Sequence, residues 1–262
     1  MNLYVAARSD VGMIRAGNED SFFAEANDKR GLFIVADGMG GHAAGEVASE
    51  MAVQIISREL AGITELNGDS VAAKVAEAVK KANSKIYERT ITEVDKQGMG
   101  TTASVLLIGG GRYLIGQVGD SRVYLLRDGT LRQITKDHSY VQEQVDAGYL
   151  TPEQARTHPY SNVITRCVGA NSDVMPDIYV GSVRPRDVFL LASDGLTGML
   201  EDYQLAELLS PERMPEDEVD ALIAEANRHG GLDNITAVIV RIDSVDATPP
   251  DGVTTQAPTR PR

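Results

Sequence analysis

Three aspartates in this chain stand where an apolar run meets a glycine. Asp37 follows FIVA and precedes Gly38, Asp194 follows FLLAS and precedes Gly195, and Asp233 sits in GGLDN ahead of ITAVIV. Asp120, in QVGDSRVY, follows a glycine between two strand-like segments, and Asp20 closes NED before SFF. One aspartate of this kind is ordinary turn chemistry. Five on one plan describe carboxylates that repel when gathered, and a cation relieves that repulsion. Donors that are all oxygen suit Mg2+ or Mn2+. Zinc is disfavoured, because Cys167 is the single cysteine and His42, His138, His158 and His229 show no ligand spacing.

The first of these acids opens the stretch IVADGMGGHAAG, residues 34–45. Such a glycine-rich loop either cradles a polyanion on its main chain or clears space around a cation held by Asp37. Gly38 to Ala43 also fits G-x-G-x-x-G/A between a strand and a helix. That dinucleotide reading requires a parallel sheet with an acid about 20 residues further on. Here that distance falls on Glu59 or Glu65, within or just after the expected helix.

The elements that must position these residues follow from periodicity. LYVAARSD and GLFIVAD read as strands, the second more fully buried. HAAGEVASEMAVQIISREL reads as a helix with Val47, Met51, Ile55 and Ile56 at helical spacing. SVAAKVAEAVKKANSKIYERTI reads as a stronger one, with Val71, Val75, Ala78, Val79, Ala82 and Ile86 on one face. The middle changes period. TTASVLLIGG, GGRYLIGQVGD, SRVYLLRDG and TLRQIT are short strands, and Asp128-Gly129 marks a hairpin, so an antiparallel meander is expected. TPEQAR starts a short helix, DVFLLASDG and DNITAVIVRID are strands, and PEDEVDALIAEANRHG is an amphipathic helix. The Pro- and Thr-rich segment 244–262 is expected to be a disordered tail beside a catalytic domain over 1–243.

Composition sets outer limits. The 262 residues carry a net charge of -13 with no Trp and four Phe, so the core is aliphatic. That charge speaks against nucleic-acid partners and anionic membranes. One cysteine permits no internal disulfide and fits a cytoplasmic setting. No run approaches the ~18 apolar residues of a membrane span.

DVGMIRAGNEDSF, ADGMGGH, GTT, VGDSRVY, SDGL and GGLDNIT occur in this order. Together they resemble the metal-dependent Ser/Thr protein phosphatases of the protein phosphatase 2C type, in their compact bacterial form, over residues 3 to 242. The resemblance implies an α+β fold, a four-layer α-β-β-α sandwich of two mainly antiparallel sheets flanked by helices. It implies hydrolysis of phosphoserine and phosphothreonine in proteins by a metal-activated water, opposing a bacterial Ser/Thr kinase. Asp37 would bridge two Mn2+ or Mg2+ ions, with the Gly38 carbonyl as a further ligand. Asp194 and Asp233 would complete the first ion's shell, and Glu19 and Asp20 would hold metal-bound waters or ligate from behind. Asp120 with Asp194 would take a third, looser ion, and Arg15 would bind phosphate. Eukaryotic-type members place a histidine directly after the bridging Asp-Gly. Met39 stands there in this chain, which leaves His42 as the candidate general acid. Residues 138–165 would form a flap beside the site. Phosphoproteins, among them a Ser/Thr kinase and its substrates, are the expected partners of a monomer. The alternative is a catalytically weak binding module on the same fold. The full set Asp37, Asp194, Asp233 and Arg15 argues against it, since a scaffold needs none of those charges.

Overall fold

The structure is a computed structural model that describes residues 1–40, 44–63, 66 and 69–245. His42, the candidate acid, and residues 246–262 of the expected tail lie outside the described residues.

Chain order begins with β1 (Asn2–Asp10), β2 (Asp20–Ala26), β3 (Arg30–Met39), α1 (Ala44–Leu60) and α2 (Asp69–Thr92). Then come β4 (Gly100–Thr101), β5 (Ala103–Gly109), β6 (Arg112–Val118), β7 (Arg122–Arg127), β8 (Thr130–Gln133), α3 (Tyr140–Asp146) and α4 (Pro152–Arg156). The chain continues with β9 (Asp177–Ser182), β10 (Val188–Ala192), α5 (Asp194–Thr197), α6 (Asp202–Leu208), α7 (Pro215–Arg228) and β11 (Ile235–Ser244). One sheet has the order β1-β11-β10-β7-β8 and the other β2-β3-β5-β6-β9, with β4 paired to β3. All strand pairs between described residues are antiparallel. The dinucleotide reading of Gly38–Ala43 is thereby overturned, because no parallel crossover occurs among the described residues.

Strand periodicity sorts the side chains into three cores. Phe33, Val35, Phe189, Leu191, Val238 and Val240 point between the sheets. Their neighbours Leu32, Ile34 and Ala36 face α1 and α2, while Leu190, Ala192, Ala237 and Ile239 face α5, α6 and α7. A strand buried on both faces has no polar alternation, which is why GLFIVA and VFLLA read as unbroken apolar runs. The layers are therefore α-β-β-α. The hairpin at Asp128-Gly129 forms with Arg127 opposite Thr130, and both turn residues take positive φ.

Helix α2 buries all six residues assigned to its face. Helix α1 departs from expectation. Its fully buried stripe is Ala44, Ala48, Ala52 and Ile56, whereas Val47, Met51 and Ile55 are only partly covered. Small residues bring α1 close to the sheet. A Cβ on Gly38 would stand 2.1 Å from the Gly45 carbonyl oxygen, so only glycine fits the close approach. β3 also overruns its expected end at Asp37. Gly38 pairs with Thr101 and Met39 with Gly100.

Helix α7 starts at Pro215 and buries one charge, Glu218, which is 1% exposed. One carboxylate oxygen accepts the Ser210 N–H and the other has no partner. Desolvation pushes its pKa from 4.5 up to about 7, against the pull of the Ser210 bond, Arg241 and Arg213. A folded pKa above the unfolded one gives stability that is complete below about pH 4.5 and lost as pH rises through about 7. Glu218→Gln is therefore expected to be about 1–2 kcal/mol more stable than the parent at pH 8, with the difference vanishing near pH 5. Urea unfolding at the two pH values checks this.

Candidate active site

The site lies where the C-terminal ends of β3 and β10 meet the loops before β2, β7 and β11. Asp37 is fixed through its backbone. Its N–H donates to Thr102 Oγ1 at 2.9 Å, and its carbonyl accepts from Thr102 N and Thr101 Oγ1, each at 2.9 Å. Thr102 Oγ1 also lies 2.7 Å from Ser121 Oγ, one residue after Asp120. The GTT segment thus ties the Asp37 strand to the Asp120 turn. Gly119 has φ 99°, and its amide and carbonyl are both held by His138, through Nδ1 at 3.1 Å and the backbone N–H at 2.9 Å. His138 Nε2 lies 3.3 Å from Asp177. His138 thus has partners that its sequence context did not indicate.

Asp20 stands directly across from Asp37 in the β2–β3 ladder. Asp194 is the first residue of α5, and Ser193 before it donates to Asp20 Oδ2 at 2.7 Å while accepting Thr236 N–H at 2.9 Å. Arg15 Nη2 donates to Asp233 Oδ2 at 2.6 Å. Glu19 lies against Gly45, where a Cβ would stand 2.8 Å from Glu19 Cδ. The structure therefore brings together Arg15, Glu19, Asp20, Asp37, Gly38, Asp120, Asp194 and Asp233.

These acids act on one another. Burial, then Asp194, Asp20 and Asp120, hold Asp37 well above the ordinary carboxylate range. Burial and Asp233 raise Asp194. Burial, opposed by the Thr236 and Ser193 hydroxyls, lifts Asp20 to about 7. Burial and Asp194 lift Asp120 to about 8. Oδ1 of Asp20, Asp120 and Asp194 is buried without a hydrogen-bond partner. Orphaned oxygens on mutually repelling carboxylates fit a hard cation. The fit is one of chemistry and placement rather than of a closed shell. No three acid, His or Cys side chains among the described residues form a group tight enough to hold an ion. Arg15 engages one oxygen of Asp233 and Ser193 one of Asp20. Cys167 is a half-buried free thiol whose pKa burial pushes up, which agrees with a structural role.

One organising residue escaped sequence reasoning. Asn234 is 4% exposed, and its side chain is fully engaged. Oδ1 accepts the Glu19 N–H at 2.8 Å, and Nδ2 donates to the Val11 and Gly17 carbonyls at 2.9 Å each. It fastens the loop carrying Arg15 and Glu19 beside Asp233. The Asn in GGLDNIT was the available signal, since a buried amide next to a functional acid demands partners.

Known proteins share this architecture. The sequence profile described as Protein phosphatase 2C matches residues 15–223. The serine/threonine phosphatase stp of Listeria monocytogenes is 38% identical over 243 residues, 92% of this chain and 96% of that protein. The serine/threonine protein phosphatase PstP of Mycobacterium tuberculosis is 43% identical over 244 residues, 93% of this chain and 46% of that protein. Among solved structures, the S. agalactiae serine/threonine phosphatase superposes with a TM-score of 0.86 at 37% identity, covering 92% of this chain and all (100%) of that one. The catalytic domain of PstP in complex with two manganese ions gives a TM-score of 0.81 at 40% identity, covering 92% and 99%. Conserved architecture along nearly the whole described chain and a matching family profile lead to one conclusion: this chain belongs to the protein phosphatase 2C family.

Proposed function

We propose that this family member hydrolyses phosphoserine and phosphothreonine esters in proteins, with Mn2+ or Mg2+ as cofactor. The observation that carries the proposal is the meeting of five aspartates with Arg15 at one end of the sandwich, three of them with an orphaned buried oxygen. When bound, a pair of divalent ions supplies charge neutralisation and acidifies water to near-neutral pKa. The chain's own part is to hold and orient. Asp37, Gly38, Asp194 and Asp233 would ligate, Asp120 would take a looser ion with Asp194, and Glu19 and Asp20 would support from behind. The Arg15 guanidinium is a planar fork that chelates two phosphate oxygens and offsets charge in the transition state. For that it exchanges Asp233 for phosphate, which is feasible because the arginine side chain is 49% exposed. His42 remains the candidate proton donor to the leaving alkoxide.

A cytoplasmic, monomeric enzyme reversing Ser/Thr kinase signalling completes the reading, with residues 1–243 as the catalytic unit. The lone cysteine supports the compartment, and β11 ends at Ser244, close to the proposed boundary. No described helix is long and apolar enough to cross a membrane. Phosphate release from a phosphothreonine peptide tests the proposal. Release is expected with Mn2+ and is expected to be abolished by excess EDTA. A folded sample that releases none with either metal would favour the binding module instead.

A further inference from the structure

Two chain segments that carry site residues also carry large apolar side chains in the open. Met13 is 66% exposed, Ile14 67% and Leu232 57%. Other apolar side chains are as exposed, Ile91 at 62% and Val94 at 83% among them; what sets these three apart is that they lie on two adjoining segments beside the site. The Met13 N–H donates to the Gly231 carbonyl at 2.7 Å, and a Cβ on Gly231 would stand 2.8 Å from Met13 Cγ. A Cβ on Gly12 would stand 2.2 Å from the Asp233 carbonyl oxygen. The segments 11–14 and 230–233 are thus in backbone contact. Ile14 immediately precedes Arg15, and Leu232 immediately precedes Asp233, whose side chains meet at 2.6 Å. The apolar rim is therefore continuous with the phosphate-binding arginine.

We propose that Met13, Ile14 and Leu232 form a specificity rim that seats a large aliphatic side chain of the substrate polypeptide, directly beside its phosphorylated residue. This rests on the phosphatase reading of the same site and deepens it. A contiguous exposed apolar patch at a functional site marks contact with a partner rather than ordinary surface. The polypeptide is the occupant because its phosphate would lie on Arg15, which directly follows Ile14 and meets Asp233, the residue after Leu232, so that a residue flanking the phosphate is within reach of the rim. The electrostatic surroundings favour the same occupant. The chain carries a net charge of -13, so an acidic flanking residue is disfavoured while an aliphatic one gains by burial.

The test is kcat/KM, with Mn2+ present, for phosphothreonine peptides alike except for Leu, Ser or Asp on either side of the phosphorylated residue. The parent enzyme is expected to prefer Leu over Ser by about ten-fold at one flank, with Asp slowest. In Ile14→Ser and Leu232→Ser, and in the double variant, the Leu-to-Ser ratio is expected to collapse towards one. This ratio is internal to each variant, so a general loss of activity does not imitate the result. Equal rates on all peptides in the parent, or a ratio that the substitutions leave intact, would overturn the rim while leaving the phosphatase standing. Absence of release from every peptide by the parent would overturn the underlying reading, and the rim with it.

Discussion

Asp37→Asn is expected to lower turnover on a phosphothreonine peptide by about 10³-fold or more and, in the same protein, to raise the stability of the EDTA-treated state above pH 7. The two effects have one origin. Asp37 is held well above the ordinary carboxylate range by burial and by Asp194, Asp20 and Asp120. A raised folded pKa means stability that is complete below the unfolded pKa and lost as pH rises through the folded value. For Asp20 and Asp120 that window closes at about 7 and about 8. The metal-free protein therefore loses stability from roughly pH 4 upwards, and a neutral asparagine removes part of that loss. Divalent ions do the same by offsetting charge, so Mn2+ should stabilise the parent at pH 8 far more than the variant. Thermal melts at pH 5 and 8, with EDTA or Mn2+, beside turnover measurements, check both halves. A variant that is less stable than the parent in EDTA at pH 8 would show that the carboxylates do not repel as described.

Asn234→Ala is expected to be the most damaging substitution outside the acids and Arg15. It removes three hydrogen bonds and leaves the Glu19 N–H and the Val11 and Gly17 carbonyls without their partner. Buried groups left unpaired in this way cost about 2–4 kcal/mol, which lowers Tm by roughly 6–12 °C in a domain of this size. Asn234→Asp is a sharper probe, because it keeps shape and the Oδ1 acceptor but turns a carboxylate oxygen toward two carbonyls. Both variants free the loop that carries Arg15, and kcat/KM is expected to fall more than ten-fold at a temperature where each is fully folded. Normal kcat/KM in a folded Asn234→Asp enzyme would confine the residue to stability.

The contrast between Asp37 and Asn234 shows what the sequence made legible. Asp37, Asp194 and Asp233 announce themselves through local context, an apolar run broken by an acid and a glycine. Strand ends that converge at one side of a sandwich convert that local signal into a site. Asn234 works through Val11, Gly17 and Glu19, more than two hundred residues away in the chain, so nothing around it in sequence records its partners. His138 was hidden for the same reason, since its grip on Gly119 depends on the fold bringing the flap base beside the β6–β7 turn. The α2 face was read correctly because valine and isoleucine at helical spacing form a strong apolar stripe. The α1 face was read in part: Ile56 is buried and Val47, Met51 and Ile55 pack against the same core, but the line nearest the sheet runs through Ala44, Ala48 and Ala52, beside the Gly38–Gly45 approach that only small residues allow. The β3 overrun past Asp37 likewise depends on a partner, β4, that lies sixty residues on.

The pairing of the first strand with the last has a consequence during biosynthesis. Ser9 lies opposite Thr236 and Asp10 opposite Ile235, so the segment bearing Arg15 finds its place only when β11 has been made. At ordinary rates of synthesis this leaves the early strands waiting roughly ten to fifty seconds for their closing neighbour. A nascent chain on the ribosome carries Asp37 and Asp120 long before Asp233 and Asn234 can join them. Phosphatase activity is thus expected only of a chain whose β11 has been made and paired with β1.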